Sequence, residues 1–433
     1  MRYGMLSQWY DPEPGPAALP GVLARGLVGR GHAVNVVTGF PNYPSGQIAQ
    51  GYQQCLFRDE ILDDVGVRRV ALYPSHDSSA LRRVLNYGSF GVSAAISGTA
   101  FVRGADAVWV NYSPITVALP MWVARLRDHV PLVVHVGDLW PDTMTAAGFT
   151  PSGFTGAALE KVLHEWTDVM YRSAAVVTYI SPGVRNILID RGVPEHKLRY
   201  APMWADETLF APASQATRTA AEAWRRSNGV GDQDILVLYA GALGHAQGLE
   251  TLLRAVATAN AELADTGARR RLRCIIAGSG TAEEELRSLT RDLRIPGDDQ
   301  PITFIGRVAP ELMPTLMAAA DACYIGLCRD PLSKVTMPSK TQAIMASGRA
   351  IVAAADGDVK DVVTSAGAGY ATNSGDQPGL TRILLRLCES GRASLESVGL
   401  AGLRHYRSEY AVEHAVTRAE QALTYAAGGE RTP

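Results

Sequence analysis

Short runs rich in Val and Ile alternate with longer helical patterns from one end of this chain to the other, and that rhythm limits the fold more than any single residue does. Strands that read as continuous apolar runs are buried on both faces, so the pattern predicts parallel sheets covered by helices, an α/β chain. In the first half, strands are expected at residues 2–9, 33–38, 67–72, 107–111, 132–136, 175–180 and 198–201. The rhythm lapses over 205–233, where Pro, Ser, Thr, Asn and Gly accumulate, and restarts with strands expected at 235–240, 272–277, 302–305, 322–327, 351–355 and 369–372. A chain of 433 residues exceeds one core. Two doubly wound units are therefore predicted, 1–205 and 206–400, followed by a mostly helical tail over 401–433.

Composition removes several function classes. With 47% hydrophobic and 19% charged residues the chain has ample material for filled cores, so disorder is excluded. A net charge of −2 leaves no overall positive field to gather nucleic acid, and any anionic ligand must be held by local groups. The five cysteines are scattered without zinc or C-x-x-C spacing and read as reduced thiols of a cytoplasmic protein. No run reaches the length of a spanning helix, which allows at most peripheral membrane contact. Residues 90–101 form the most lipid-like stretch, and their Gly and Ser content reads as a close-packed core helix.

Open α/β sheets bind ligands at the carboxyl ends of their strands, where small residues leading into a helix expose backbone N–H groups to an anion. The second half offers two such turns, Gly241-Ala242-Leu243-Gly244 running on to Gln247, and Gly278-Ser279-Gly280. Neither completes a dinucleotide fingerprint, and no G-x-x-x-x-G-K-[ST] occurs, so a tandem dehydrogenase and an ATPase are poor readings. Pro338-Ser339-Lys340 opens a helix. A lysine in a first turn works against the dipole, so Lys340 is either solvated or holds a negative group such as a diphosphate. Arg307, after Gly306, is either a surface arginine or a second cation on the same sheet edge.

In the order Tyr10 to Gly15, Gly137-Asp138-Leu139-Trp140-Pro141-Asp142, Ile180 to Gly183, Gly241 to Leu249, Ile305-Gly306, Pro338-Ser339-Lys340 and Met345 to Gly348, these segments resemble the retaining GT-B glycosyltransferases of family 4, in particular the branch of bacterial polysaccharide and natural-product sugar transferases. The resemblance covers nearly the whole chain. It implies two Rossmann-like domains facing a central cleft, with the last helix crossing back to the N-terminal domain. It also implies a nucleotide-diphosphate sugar, UDP- or GDP-linked, as donor substrate, and no cofactor. By the same resemblance Gly241, Ala242, Leu243, Gly244 and Gln247 wrap the donor phosphates, which Ser339 and Lys340 help to hold. Gly278, Arg307 and Val308 border the nucleoside, Glu13, Gly15 and Pro16 lie beside the transferred sugar and the acceptor, and Asp138 stands next to the reacting centre. The chain departs from the family at Ala343, where many members carry the glutamate for the ribose, leaving Gln342 as a substitute. It departs again at His245 and Gln247, where an Arg and a Lys are common.

Asp138 either orients a hydroxyl or assists deprotonation of the acceptor, unless it serves as an N-cap for the segment at Leu139. His135 lies within an apolar strand and reads as a core histidine, with a contact to sugar or acceptor as its functional alternative. Asp356-Gly357-Asp358 has the look of a cation motif, but it starts a helix in the second half, where capping by Asp358 is the simpler reading. No metal is therefore expected. The acceptor is a small molecule or a lipid-linked intermediate of a natural product or cell-envelope glycan, and neither the donor base nor the oligomeric state can be read. A GT-B nucleotide-sugar 2-epimerase and a non-catalytic nucleotide-sugar-binding protein are the competing readings.

Overall fold

The computed structural model describes residues 1–14, 19–76, 79–143, 154–268, 270–293 and 300–429. The chain divides into two units, Met1–Met203 with Val412–Pro433, and Trp204–Ala411. Residues 401–411, expected in the tail, stay with the second unit, because Leu403, Tyr406 and Tyr410 are buried and Tyr406 and Tyr410 belong to its core.

The first unit holds β1 (Arg2–Leu6), β2 (Ala33–Gly39), β3 (Phe57–Leu62), β4 (Val65–Val70), β5 (Ala107–Asn111), β6 (Leu132–Val136), β7 (Val176–Tyr179) and β8 (Leu198–Tyr200). They form one sheet in the order β3-β4-β2-β1-β5-β6-β7-β8, and every pairing is parallel except β3 with β4. β3 is the strand that the apolar rhythm does not announce. It is an edge strand, and its Phe-Arg-Asp-Glu-Ile-Leu sequence is stabilised by cross-strand charges: Arg68 donates to both carboxylate oxygens of Asp59 at 2.6 Å. The hairpin turn uses Asp63 and Asp64 at φ 51° and 62°, the left-handed geometry that tight two-residue loops require.

Helix Val412–Gly429 returns to this first unit. It buries Ala415, Val416, Ala419, Ala422, Leu423 and Ala426, a helical stripe, against helix Leu19–Gly29 and the sheet. Polar ties fix its register: Glu420 accepts from Arg30 at 2.7 Å and lies 2.6 Å from His32 Nε2, and the Tyr3 and Thr424 hydroxyls are 3.0 Å apart.

Residues 90–101 are not a uniformly buried helix. Helix Ala80–Ser93 ends within them and a tighter and a wider turn follow; Phe90, Gly91, Ala94 and Gly98 face inward, whereas Val92 and Ile96 stand in solvent.

The second unit has β9 (Ile235–Ala240), β10 (Leu272–Ala277), β11 (Ile302–Gly306), β12 (Ala322–Gly326), β13 (Ala350–Ala354) and β14 (Gly369–Thr372), all parallel, in the order β11-β10-β9-β12-β13-β14. The irregular stretch before β9 contains helix Gln215–Ser227, capped by Ser214, whose hydroxyl accepts from the Thr217 N–H at 3.1 Å. Its inward residues include a charged one. Arg225 is buried and donates to the carbonyls of Ala319 and Asp234, both at 2.7 Å, and to Asp321 at 2.9 Å. A helix held this way carries little apolar signal.

Candidate active site

In each sheet the strand order reverses beside the first strand, between β1 and β5 in one unit and between β9 and β12 in the other. At such a switch point two neighbouring loops diverge and leave a crevice at the carboxyl ends of the strands. The first unit has a recess there; in the second unit Gly244, Gly248, Leu327 and Cys328 line the recess at the switch point, and a further recess opens beside it over the ends of β9, β10 and β11.

In the first unit a recess of about 270 Å³ is walled by Trp9, Tyr43, His76 and Tyr87, with Asn111, Ser113, His135 and Asp138 also lining it. Trp9 follows β1, Asn111 ends β5 and Asp138 follows β6, so the sheet itself fixes their spacing. Asp138 retains solvent-accessible area, yet protein surrounds it closely enough that desolvation raises its pKa. The opposing effect is a hydrogen bond from Ser113 Oγ to Oδ2 at 3.2 Å. His135 is buried and stacked on Trp109 with ring centroids 5.0 Å apart, and burial pushes its pKa down to about 4, so it is neutral at physiological pH. Its Nδ1 lies 2.9 Å from Thr178 Oγ1 and its Nε2 3.4 Å from Met203 Sδ, which accounts for both nitrogens inside the protein.

Glu13 is buried beside this region, but its carboxylate is directed at main chain. Oε1 accepts from the N–H groups of Asn42 and Tyr43 at 2.8 and 2.9 Å, and Oε2 accepts from that of Tyr10 at 3.1 Å. The residue therefore ties the loops after β1 and β2 together. Gly15 and Pro16 lie outside the described residues.

In the second unit a recess of about 350 Å³ is lined by Gly241, Ala242, Gly278, Ser279, Arg307 and Val308 among others, drawn from the ends of β9, β10 and β11. The turns after β9 and β10 lie against each other. Gly241 N–H donates to Ala277 O at 3.0 Å and Leu243 N–H to Ser279 O at 3.0 Å. Only glycine permits this at 278: φ is 139°, and a Cβ would fall 1.8 Å from the Gly241 carbonyl oxygen. Arg307 Nε donates to Ser279 Oγ at 2.5 Å, which holds the guanidinium across the recess.

Lys340 comes from the first turn of helix Ser339–Ala346. Its ammonium stands over the Tyr239 ring, and a Cβ on Gly241 would meet it at 3.0 Å. Among the described residues no carboxylate pairs with it, and burial lowers its pKa to about 8.

Two of the expected phosphate residues serve other ends. Leu243 lies in the core, its N–H bonded to Ser279 and its carbonyl to Ala282, so it has no main-chain group to offer. Gln247 turns its Oε1 back to the Gly244 N–H at 3.1 Å and closes the loop on itself. Gly244 and His245 line a separate recess of about 340 Å³ at the start of helix Leu249–Asp265. Gln342 is buried with neither amide atom partnered among the described residues.

Asp356 and Asp358 do not converge. Asp356 accepts from the Ser374 N–H at 3.4 Å, whereas Asp358 is the first residue of helix Asp358–Ser365. Gly357, not Asp358, occupies the capping position. Among the described residues no three His, Cys, Asp or Glu side chains gather as a metal site.

Tyr239, Tyr87, Trp9 and Ser113 were not evident from sequence. Tyr239 carries a local signal, an aromatic one residue from the end of a strand that leads into Gly241. The others come from segments far apart and meet only in the fold.

Comparison with known proteins follows the same division. Residues 15–204 match the glycosyl transferase 4-like domain, and residues 234–390 match the glycosyl transferases group 1 model. Over 348 residues the chain is 25% identical to WcaI of Escherichia coli (strain K12), named as a glycosyl transferase of colanic acid biosynthesis, covering 80% of this chain and 81% of that protein. Among solved structures, Anabaena Alr3699/HepE in complex with UDP-glucose is similar at a TM-score of 0.66 and 18% identity, with 98% of each chain covered. An alpha,alpha-trehalose-phosphate synthase (UDP-forming) from Burkholderia vietnamiensis is similar at a TM-score of 0.70 and 14% identity, covering 100% of this chain and 98% of that one.

Proposed function

Since this chain belongs to the family 4-like glycosyltransferases of the GT-B fold, we propose that its second unit holds a nucleotide-diphosphate sugar, that its first unit holds the acceptor, and that the sugar is transferred with retention of anomeric configuration. The observation that carries this reading is Lys340. A half-buried ammonium that pairs with no carboxylate among the described residues is unfavourable in the free protein, and a diphosphate beside Gly241 supplies the missing charge. Arg307 and the main chain at Gly278 and Val308 border the same recess and suit the nucleoside. The 18%-identical Alr3699/HepE was solved with UDP-glucose, which favours a uridine donor.

In the proposed reaction the bond from the anomeric carbon to the phosphate oxygen breaks while the acceptor oxygen bonds to that carbon on the same face. The acceptor proton passes to the departing phosphate oxygen. Positioned charge and orientation supply the rate, so no covalent sugar-enzyme intermediate is needed. Asp138, which lines the aromatic recess, orients the acceptor hydroxyl. Lys340 balances the leaving diphosphate, and the proposal includes activity without a divalent cation. Undiminished transfer in excess chelator supports that part, and loss that added magnesium or manganese restores overturns it.

A thermal-shift panel of UDP, GDP, ADP and their sugar conjugates tests the donor assignment. A ligand bound only by the folded protein raises the melting temperature with its concentration. One conjugate raising it supports the reading, and no response from any of them rejects it. The anomeric configuration of the product, read by proton NMR, tests retention.

A further inference from the structure

In the first unit the recess beside β1 has an aromatic side and a polar side, and the fold builds both. Tyr87 comes from helix Ala80–Ser93 and Trp9 from the segment after β1. The residues that precede them, Asn86 and Gln8, are both buried, and Gln8 Nε2 donates to Asn86 Oδ1 at 2.6 Å, so one interior hydrogen bond sets the two rings against each other. Their centroids are 6.2 Å apart at 88°, and Tyr43 and His76 add a second edge-to-face pair at 4.7 Å and 79°. The polar side comes from the end of β5 and the residues that follow β5 and β6. Asn111 Nδ2 donates to Ser7 Oγ at 3.2 Å, and Ser113 Oγ donates to Asp138 Oδ2 at 3.2 Å. Among the described residues nothing donates to Asn111 Oδ1, Asp138 Oδ1 or Ser113 Oγ.

Among the described residues no Lys or Arg lines this recess, and Asp138 is the one charge that does. Both of its histidines are neutral: burial lowers the pKa of His135 to about 4, and burial, then Arg83, lowers that of His76. Arg83 itself stands outside the lining. Of the adjoining segments, 15–18 and 144–153 contain no charged residue, and 77–78 adds an acid, Asp77. At about 270 Å³ the recess lies just under the roughly 300–1,000 Å³ of drug-sized sites, so it takes one ring and not a chain of them. We propose that Trp9 and Tyr87 select the ring that carries the reacting hydroxyl of the acceptor, and that this ring is an uncharged pyranose bearing neither phosphate nor carboxylate. The inference rests on the function proposed above and names the acceptor class of that same site. A pyranose has C–H groups on its faces and hydroxyls at its rim. Its ring hydrogens are made partly positive by the neighbouring oxygens and suit the negative face of an aromatic ring, and their burial is favourable in itself. The rim hydroxyls donate to Asn111, Ser113 and Asp138. A flat phenol would fit the aromatic side but brings one hydroxyl to three acceptors and leaves polar groups desolvated without a partner. A phosphate or carboxylate would set a second negative charge beside Asp138 with no cation in the lining to offset it.

The full chain is tested by saturation-transfer NMR and calorimetry against the methyl glycosides of glucose, galactose, mannose, fucose and N-acetylglucosamine, against sugar phosphates and uronates of the same configurations, and against phenol. At least one neutral glycoside should bind, with saturation strongest at its ring hydrogens, and its charged counterpart should bind about tenfold more weakly or worse. Trp9→Ala should weaken the neutral glycoside about fivefold to tenfold and Trp9→Phe should restore most of the loss, with circular dichroism and the melting temperature verifying that both variants fold. Asp138→Asn should narrow the gap between neutral and charged sugars. A charged sugar bound as tightly as its neutral parent, phenol bound in place of every glycoside, or equal binding by wild type and Trp9→Ala overturns the inference. Wild-type protein that answers nucleotide sugars in the thermal-shift panel but binds no glycoside refutes this inference alone. Silence toward nucleotide sugars with glycoside binding intact refutes the donor assignment alone.

Discussion

The ammonium of Lys340 lies 3.1 Å from the hydroxyl of Tyr239 and 4.2 Å from the centroid of its ring. The hydroxyl in turn donates to the Ala242 carbonyl at 2.6 Å, so one aromatic residue both shapes the glycine turn and places the cation beside it. A cation held by a ring face and a hydroxyl remains available to an anion in a way that an ion-paired lysine does not.

Replacing Lys340 with Met should weaken donor binding by about ten- to a hundredfold, the worth of one or two charge-assisted hydrogen bonds, as read by calorimetry. The pH dependence gives a sharper test. Burial holds the ammonium at a pKa of about 8, below the ordinary lysine value, so the free protein loses this charge as pH rises past that point. Bound diphosphate favours the charged form. Affinity should be level below the pKa and fall by about tenfold per pH unit above it, while Lys340→Met shows no such fall. A wild-type profile that is level to pH 10 would rule the contact out.

Asp138 should set the acid limb of the rate profile. Its pKa is raised by desolvation and lowered by the hydrogen bond from Ser113, and His135, near 4, is neutral across the working range. Activity is then lost as pH falls through the Asp138 pKa. Ser113→Ala removes the lowering influence and should move the acid limb to higher pH. Asp138→Asn should slow transfer by about a hundredfold or more with donor affinity intact. Identical acid limbs for wild type and Ser113→Ala would assign the limb to another group.

What sequence could reveal depended on how each element is stabilised. β6 and β13 are buried on both faces and therefore read as apolar runs, interrupted in β6 only by His135. β3 and helix Gln215–Ser227 escaped the same reading because ion pairs and a buried arginine hold them, and charged residues carry no apolar period. The candidate site residues divide in the same way. Lys340 and Asp138 were legible because each stands at the end of an element where a charge needs an explanation. Tyr87 and Trp9 were not, because no local pattern links a residue on a peripheral helix to one at the end of β1. Leu243, expected from its motif position to border the donor phosphates, has its side chain in the core and both main-chain groups bonded within the protein.

Gly278→Ala should damage the second unit as a folded object and not merely its affinity. A methyl group 1.8 Å from the Gly241 carbonyl oxygen cannot be accommodated without moving the turn after β9, and φ there is 139°. The expected loss is about 3 kcal/mol or more in urea unfolding. Gly29→Ala, where nothing lies within 4 Å, is the control and should change stability by less than ~1 kcal/mol. Equal stability of the two variants would mean that the turns are not packed as described.

Glu13 offers a comparable test in the first unit, because its role there is to satisfy three main-chain donors. Glu13→Gln keeps the shape but exchanges one acceptor oxygen for an amide that can only donate. Either the Tyr10 N–H or the pair at Asn42 and Tyr43 then loses its acceptor. Each buried donor left without a partner costs ~1–3 kcal/mol, so the midpoint of unfolding should fall accordingly. Tryptophan fluorescence suits the measurement, since five of the seven tryptophans, Trp9, Trp109, Trp122, Trp140 and Trp166, belong to this unit. The pH dependence has a definite sign. Burial, the largest influence on Glu13, raises its pKa above the ordinary value despite the three hydrogen bonds. The folded state thus binds this proton more tightly than the unfolded state does. Its contribution to stability is fully present below the unfolded pKa and declines as pH rises through the folded one, and Glu13→Gln should remove that slope. A variant as stable as wild type, with the slope retained, would show that the loops after β1 and β2 are held by something other than this carboxylate.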